Sequence, residues 1–570
     1  MAPVAPFMNL TKKGKLITKS KTKIKSKEKM KKLSVYIMAI ASMGIAMTSC
    51  NKEENTVAEP ITVSLEENEI LNDAKVHQVG ETYTYYWDEG DKIRFIDQNG
   101  YAAIFEAVRM APRAEFDFVQ NVNTSRPFDR SNGPIIGIYP WNVGVNAGAF
   151  TMPKVQNSVA GELYKDFPLY AEQPLNPSYE FKNLCGVAKI VVSGDVAIDS
   201  ISVTTDQVIN GDFRIDMTDP NNPVISPVQP NGHGTKTITL KVENPEVPAA
   251  KAYKIAMPPA EYKTFVITFY AGNTQFVKRY QNISIIRTAY TTLNINTPLS
   301  GANFSANPVG TINGAFSVSA SQTVRFAKGN LQYVAVKGHP FWHIADNQWD
   351  YLDVINQRQG YGGDRDLISW GANRYNVANN NVAGNTGNSY AIWNRVGTYN
   401  YLPGTDALAG INEWGNNAIE NGGNAANLWR TLTAAEWDYL LNTRSGDRFL
   451  NAELTIGAMT VKGLIIFPDG YSTNYAGVNN ATEASVAIAM SDWFNMEADG
   501  CVFLPINTYG RDVNAQAHFP ENSGSMSYYW TATPDSDTEA NAIKLSKTTG
   551  MNAEVIAKRC GAFIRLVQNI

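Results

Sequence analysis

Cysteine and histidine are scarce in this chain, four and five among 570 residues. There is no Cys-x-x-Cys. The one close histidine pair, His339 and His343, has Pro340 between its members and so cannot share a regular helical face. No metal and no cofactor is therefore expected. Charge is also low, at 18% of residues. Long apolar runs are missing except for Leu33 to Met47, fifteen residues, which at 1.5 Å per residue is too short to cross a bilayer. Later apolar stretches such as Gly463 to Phe467 are strand-sized, and helical periodicity is rare before residue 300. A bundle of membrane helices is excluded, as is a zinc- or disulfide-stapled scaffold.

The formal charge of -4 hides an asymmetry. Residues 1–49 carry eleven lysines, no arginine and one acid, Glu28, which leaves 38 basic and 52 acidic side chains beyond them, a balance of about -14. An acidic body of that kind is a poor partner for nucleic acid, and none is expected. Lys31 and Lys32 precede the apolar run, which ends in Met47-Thr48-Ser49-Cys50. Charged start, short apolar core and small residues before a cysteine form a signal peptide, 30–49, with Met30 as the expected true start and 1–29 upstream of it. The ending resembles the lipobox of bacterial lipoproteins, which implies acylation of Cys50 and an outer-membrane lipid as partner. Asn51-Lys52-Glu53-Glu54-Asn55 resembles a short acidic surface-export signal, and 50–59 reads as a tether.

Downstream, the texture is β. Short alternating runs at Ile61 to Leu65, Thr82 to Trp87, Lys92 to Ile96, Ala102 to Val108, Pro134 to Tyr139, Ala188 to Val192, Ile198 to Thr204, Lys236 to Val242, Thr264 to Tyr270 and Thr291 to Ile295 predict sandwiches over 60–175 and 176–298. Cys185, Trp87 and Trp141 are read as core. A turn-rich linker, 299–311, leads to 312–570, which holds nine of the eleven tryptophans. Residues 371–430 contain fifteen asparagines and nine glycines and predict a long irregular segment pinned by Trp393, Trp414 and Trp429. Thr433 to Glu436 is a capping box that starts a helix, with Trp437, Leu440 and Leu441 on one face. Strands are predicted at Met459 to Phe467, Cys501 to Leu504, Tyr528 to Thr533, Ala542 to Leu545 and Phe563 to Val567. Cys501 and Cys560 are a candidate disulfide, their geometry being open at this level.

Trp87-Asp-Glu-Gly-Asp-Lys-Ile93, Ile138-Tyr-Pro-Trp-Asn142, Phe181 to Ile190 and Ala256 to Tyr262 occur in an order, after a lipobox, that resembles the fimbrillin family of pilin-like lipoproteins. The resemblance implies two transthyretin-like β-sandwiches and assembly with other pilins by donor-strand exchange. Gly314 to Ala320, Val324 to Tyr333, Gln348-Trp-Asp350, Trp429 to Trp437, Gly500 to Pro505, Tyr529 to Pro534 and Arg559 to Val567 resemble the major paralogous domain, a relative of the C-type-lectin-like fold. That resemblance implies a mixed α+β binding domain with long loops. The fold class expected is thus mostly β, two sandwiches followed by that domain.

A metal-free binding surface needs aromatic area and adaptable polar groups. Residues 521–541 and 507–511 have that composition, and Tyr509, Arg511, Asn522, Ser525, Tyr528, Asp535, Asp537 and Asn552 are the candidate ligand residues, with Trp530 expected to be buried. The reading that results is a lipid-anchored adhesin of the outer membrane, on the cell surface or a pilus as tip or anchor, that binds a glycan or protein on host or bacterial surfaces. A structural pilin is the alternative. An enzyme of carbohydrate or sulfatase-maturation type is weaker, because no local motif pairs two carboxylates or a Ser, His and Asp. No catalytic residue is assigned.

Overall fold

The computed structural model describes residues 60–66, 76–79, 82–85, 87–131, 133–142, 144–146, 148–159, 163, 166–173, 178–228, 234–247, 251–334, 341–352, 364–373, 401–506, 526–546 and 550–570, of which 76–79, 82–85, 144–146, 159, 173 and 550 are described by backbone alone. The expectations for 1–59, Cys50 included, and for Trp393 and His339 lie outside these residues. The chain is mostly β, and among the described residues no helix is long and apolar enough to cross a membrane.

Alternation builds the first part. In Ile61–Leu65 every second side chain is buried, and the same period carries Ala114 and Phe116 inward from Arg113–Asn121. These two strands pair antiparallel, and Ile61–Leu65 also runs parallel to Ser178–Asn183. Through Leu169–Gln173, Ile135–Tyr139, Lys92–Ile96 and Ala102–Ala107 the sheet closes on itself as a barrel. Trp87 fills its centre, with Phe116, Tyr139 and Phe181 edge-on at 5.2, 5.3 and 5.6 Å. Gly137 stands mid-strand because a Cβ there would lie 2.5 Å from the Phe181 ring. Trp141 is 41% exposed, contrary to its reading as core, because the strand ends at Tyr139 and Pro140 carries the chain out of the sheet.

The boundary expected at 175/176 does not divide the sheets. After the barrel strand ending at Tyr139, Ala149–Met152 pairs with Gly211–Asp216 and Val155–Val159 runs parallel to Thr237–Glu243. The chain then returns to the barrel at Leu169–Gln173. Val155–Val159, Thr237–Glu243, Ser200–Thr205, Ala260–Ala271 and Thr274–Ile285 form a five-stranded sheet, accompanied by a three-stranded sheet around Gly186–Val192. One core runs from Ile61 to Leu299, with Cys185 buried in it. The buried Glu66 ties the two regions together, accepting from Arg287 Nη1 at 2.9 Å.

From Ile312 onward three apolar cores are assembled. Thr323–Phe326 pairs with Leu566–Asn569, so the first and last parts of this region meet in one sheet, joined by Arg430–Thr431. Met526–Pro534, Glu539–Ser546 and Gly550–Ala557 form a sheet buried on both faces: Tyr529, Ile543 and Leu545 enter one core, Tyr528, Trp530 and Ala542 another. The capping box is made, Thr433 accepting from the Glu436 N–H at 3.2 Å and Glu436 accepting from the Thr433 N–H at 2.8 Å. Trp414 and Trp429 pin the asparagine-rich segment by donating to Ala372 O at 2.7 Å and Gly422 O at 2.8 Å. A second helix, Met490–Ala498, was not anticipated, although Met490, Trp493 and Phe494 have the i, i+3, i+4 spacing and are all buried.

Candidate functional site

Of the candidate ligand residues, Tyr509, Arg511, Asn522 and Ser525 lie outside the described residues. The other four fall into two groups. Tyr528 and Asn552 flank Lys544 in register on adjacent strands. Tyr528 is only 6% exposed, and burial, reinforced by Glu554, pushes its hydroxyl up to about 12. It belongs to the core more than to a contact surface. Asn552 is exposed, and beside it Lys544 Nζ lies 2.9 Å from Glu554 Oε2. Asp535 and Asp537 are exposed in the turn at the other end of the hairpin, about 20 Å from Tyr528 at 3.3 Å per residue.

The turn is held from inside. Asp537 Oδ1 accepts the Gly404 N–H at 2.7 Å. The buried Lys558 donates to Gly404 O at 2.5 Å and lies 4.3 Å over the Trp370 ring. Asp537 therefore positions a loop through its side chain. Asn552 and Asp535 remain as exposed polar groups. Trp530 is buried, as expected, and donates to Ile368 O at 2.7 Å. Cys501 and Cys560 are free thiols and do not make the candidate disulfide, because Cys501 packs with Trp493 and Phe503 while Cys560 lies against the core around Trp370 and Trp530.

A second polar constellation, missed at the level of sequence, lies where the five-stranded sheet meets the C-terminal region. Asp346 accepts the Lys236 N–H at 2.6 Å and the Thr237 hydroxyl at 2.8 Å. Asn347 donates to Thr205 O at 2.8 Å, the Lys236 ammonium rests on Asp350, and Arg279 Nε donates to Glu497 at 3.0 Å. The ring nitrogens of His343 face Asp346 and Glu420, each at 3.4 Å, and Lys154 covers Glu420 from the sheet side.

Burial would raise both of His343's carboxylate neighbours. The hydrogen bond and charge of His343 outweigh it at Asp346, whose carboxyl falls well below the usual range, and His343 with Lys154 holds Glu420 at about 2. At Asp350 burial wins over Lys236 and the carboxyl is raised. Among the described residues no three His, Cys, Asp or Glu side chains are placed to hold a metal ion. Gln348-Trp-Asp350 stands out as a motif, but nothing local signals that Asp346 and Asp350 meet a strand more than a hundred residues away.

No family model and no curated protein matches the chain. Several solved structures are similar to parts of it. A cell adhesion protein from Bacteroides ovatus is 12% identical, over 44% of this chain and 96% of that one, with a TM-score of 0.27. A fimbrial assembly protein from Parabacteroides distasonis is 9% identical over 47% and 96%, TM-score 0.23, and a fimbrial protein from Bacteroides ovatus is 9% identical over 90% and 100%, TM-score 0.20. At such scores the likeness carries no argument.

Proposed function

We propose that the chain is a surface lipoprotein adhesin. In this reading Cys50 is acylated and anchored in the outer membrane, residues 60–298 are a β stalk of fimbrillin type, and residues 312–570 are a C-type-lectin-like head that binds a glycan or protein on host or bacterial surfaces. The observation that carries it is the pairing of Thr323–Phe326 with Leu566–Asn569. A region whose opening and closing strands are hydrogen-bonded to each other is a closed frame, from which intervening segments can vary without loosening the core. The three buried cores supply the rigidity such a frame needs. Stacking with other pilins by donor-strand exchange belongs to the same proposal and rests on the sequence resemblance alone.

The test has two arms. Cells expressing the chain are labelled with palmitate, which should enter the protein and be lost in Cys50→Ala. A purified chain of residues 51–570 is applied to glycans, matrix proteins and intact bacteria, and binding should weaken when residues 507–525 are replaced by a Gly-Ser linker. An unlabelled protein defeats the anchor; a purified chain that captures nothing while the cells adhere defeats the adhesin.

A further inference from the structure

Between the outer face of the five-stranded sheet and the C-terminal region lies a cleft of about 840 Å³. Its size falls in the range of small-ligand sites, roughly 300 to 1,000 Å³. It is a space between two bodies that are already fixed to each other. Thr237 and Lys236 hold Asp346 at one side, Arg279 holds Glu497 at another, and Gln275 exchanges backbone hydrogen bonds with Ser305 at 3.0 and 2.9 Å. The walls are therefore set before any ligand arrives, which lowers the ordering cost of binding.

The chemistry of the sheet wall is unusual for a buried face. Register aligns Thr239, Ser202 and Thr268 across three neighbouring strands, with Ser200 and Tyr270 paired in the adjoining row. Ser202 is 6% and Thr204 8% exposed, and their hydroxyls are held in place within the sheet, Ser202 beside the Tyr270 hydroxyl at 3.4 Å and Thr204 with Thr237 at 2.7 Å, while each keeps hydrogen-bonding capacity toward the cleft. Asn307 and Asn313, bonded to each other at 2.9 Å, present amide groups from the opposite wall. Hydroxyls and amides are both donors and acceptors, and they match a ligand whose own surface alternates the two. Tyr270 adds an aromatic ring to the lining, and Phe276, stacked on Phe269, borders it from the core.

Charge selects further. The lining has four Lys or Arg and four acidic side chains, with His343 enclosed between two of those acids, Asp346 and Glu420, and Lys154 and Arg279 are already matched to Glu420 and Glu497. No excess of either sign is left to recruit a phosphate, a sulfated sugar or a charged peptide. We propose that this cleft is a binding site for a neutral oligosaccharide, held by the Thr239-Ser202-Thr268 hydroxyl row and the ring of Tyr270. The site is separate from the exposed margin of the head at Asn552 and does not depend on it.

The experiment uses the chain of residues 51–570 and saturation-transfer NMR with maltotriose, cellotriose and lacto-N-tetraose as neutral probes and with a sialylated and a sulfated trisaccharide as anionic ones. At least one neutral probe should bind. Its affinity should fall tenfold or more in Thr268→Trp, which places an indole over the hydroxyl row, and also in Tyr270→Ala, with thermal melting checked for each and Ser202→Ala as a milder third variant. Binding of anionic probes alone overturns the proposal, and so does the absence of any neutral binder. Neutral binding that all three folded variants retain places the saccharide elsewhere and overturns it too. Adhesion of cells carrying Thr268→Trp should persist, so failure of this site is distinguishable from failure of the adhesin reading.

Discussion

Thr237 donates its hydroxyl to Asp346 at 2.8 Å, joining a central strand of the second sheet to the region that begins at Ile312. Asp346 is 5% exposed on its side chain and also takes the Lys236 N–H. Removing the carboxylate in Asp346→Ala leaves the Lys236 N–H and the Thr237 hydroxyl without this acceptor and takes one of two carboxylates from His343, a loss of about 2 to 3 kcal/mol. Calorimetry of residues 51–570 should show one cooperative transition separating into two as the sheet body and the C-terminal region melt independently. A single transition at the original temperature would show that the seam contributes nothing.

The same seam should be acid-sensitive. Glu420 has a folded value of about 2 against an ordinary 4.5, because His343 and Lys154 outweigh the effect of burial, and Asp346 is lowered for a like reason. A carboxyl lowered by folding stabilises the fold above its unfolded value, and that contribution drains away as pH falls through the folded one. The urea midpoint should therefore decline from about 4.5 downward toward about 2. Glu420→Gln should flatten part of that decline, and an unchanged slope would mean that His343 and Lys154 do not act on Glu420.

How much of this was legible depends on the range of the interaction. Ile61–Leu65 and Lys92–Ile96 fall where alternation placed them, and the Thr433 capping box is local chemistry read directly from four residues. Met490, Trp493 and Phe494 carry the same helical spacing as Trp437, Leu440 and Leu441, but with Ala489 at the N-cap no capping side chain marks where their helix begins. The return of the chain to the barrel at Leu169, and the meeting of Lys236 with Asp350, depend on strand pairings that no local window contains. Tyr528 stands among polar neighbours in the sequence, which favours a contact role, yet its alternate position on a sheet covered on both faces makes it core.

Arg565 is buried with three carbonyls around it, donating to Phe503 O at 2.6 Å, Ala327 O at 3.0 Å and Gln348 O at 3.4 Å. Burial pulls its guanidinium down to about 10. Arg565→Met has similar reach and no donors, so the carbonyls are left dry, at about 1 kcal/mol or more each. A loss of about 3 kcal/mol in chemical denaturation is expected, and Arg565→Lys should recover only part of it because an ammonium lacks the planar fork.

Gly314 and Gly500 meet backbone to backbone. Gly500 has a φ of +94°, and a Cβ on it would lie 2.4 Å from the Gly314 backbone. Gly500→Ala should cost more than about 2 kcal/mol, from left-handed strain together with the clash. A melting temperature within error of the parent would show that the two segments can part freely.

The free state of the thiols gives a chemical check on the core assignments. Beyond Cys50 the chain has Cys185, Cys501 and Cys560. Burial raises all three, Cys185 and Cys501 far above the ordinary range and Cys560 to about 11, where nearby Arg559 offsets only part of the effect. Since the thiolate is the reacting form, a thiol reagent in mildly alkaline buffer should label the native chain of residues 51–570 slowly, Cys560 first because it alone is partly exposed. In concentrated guanidinium all three should react at once. A yield of one thiol under those conditions would mean that Cys501 and Cys560 are bridged, and hence that the cores around Trp493 and Trp370 approach each other more closely than the fold allows.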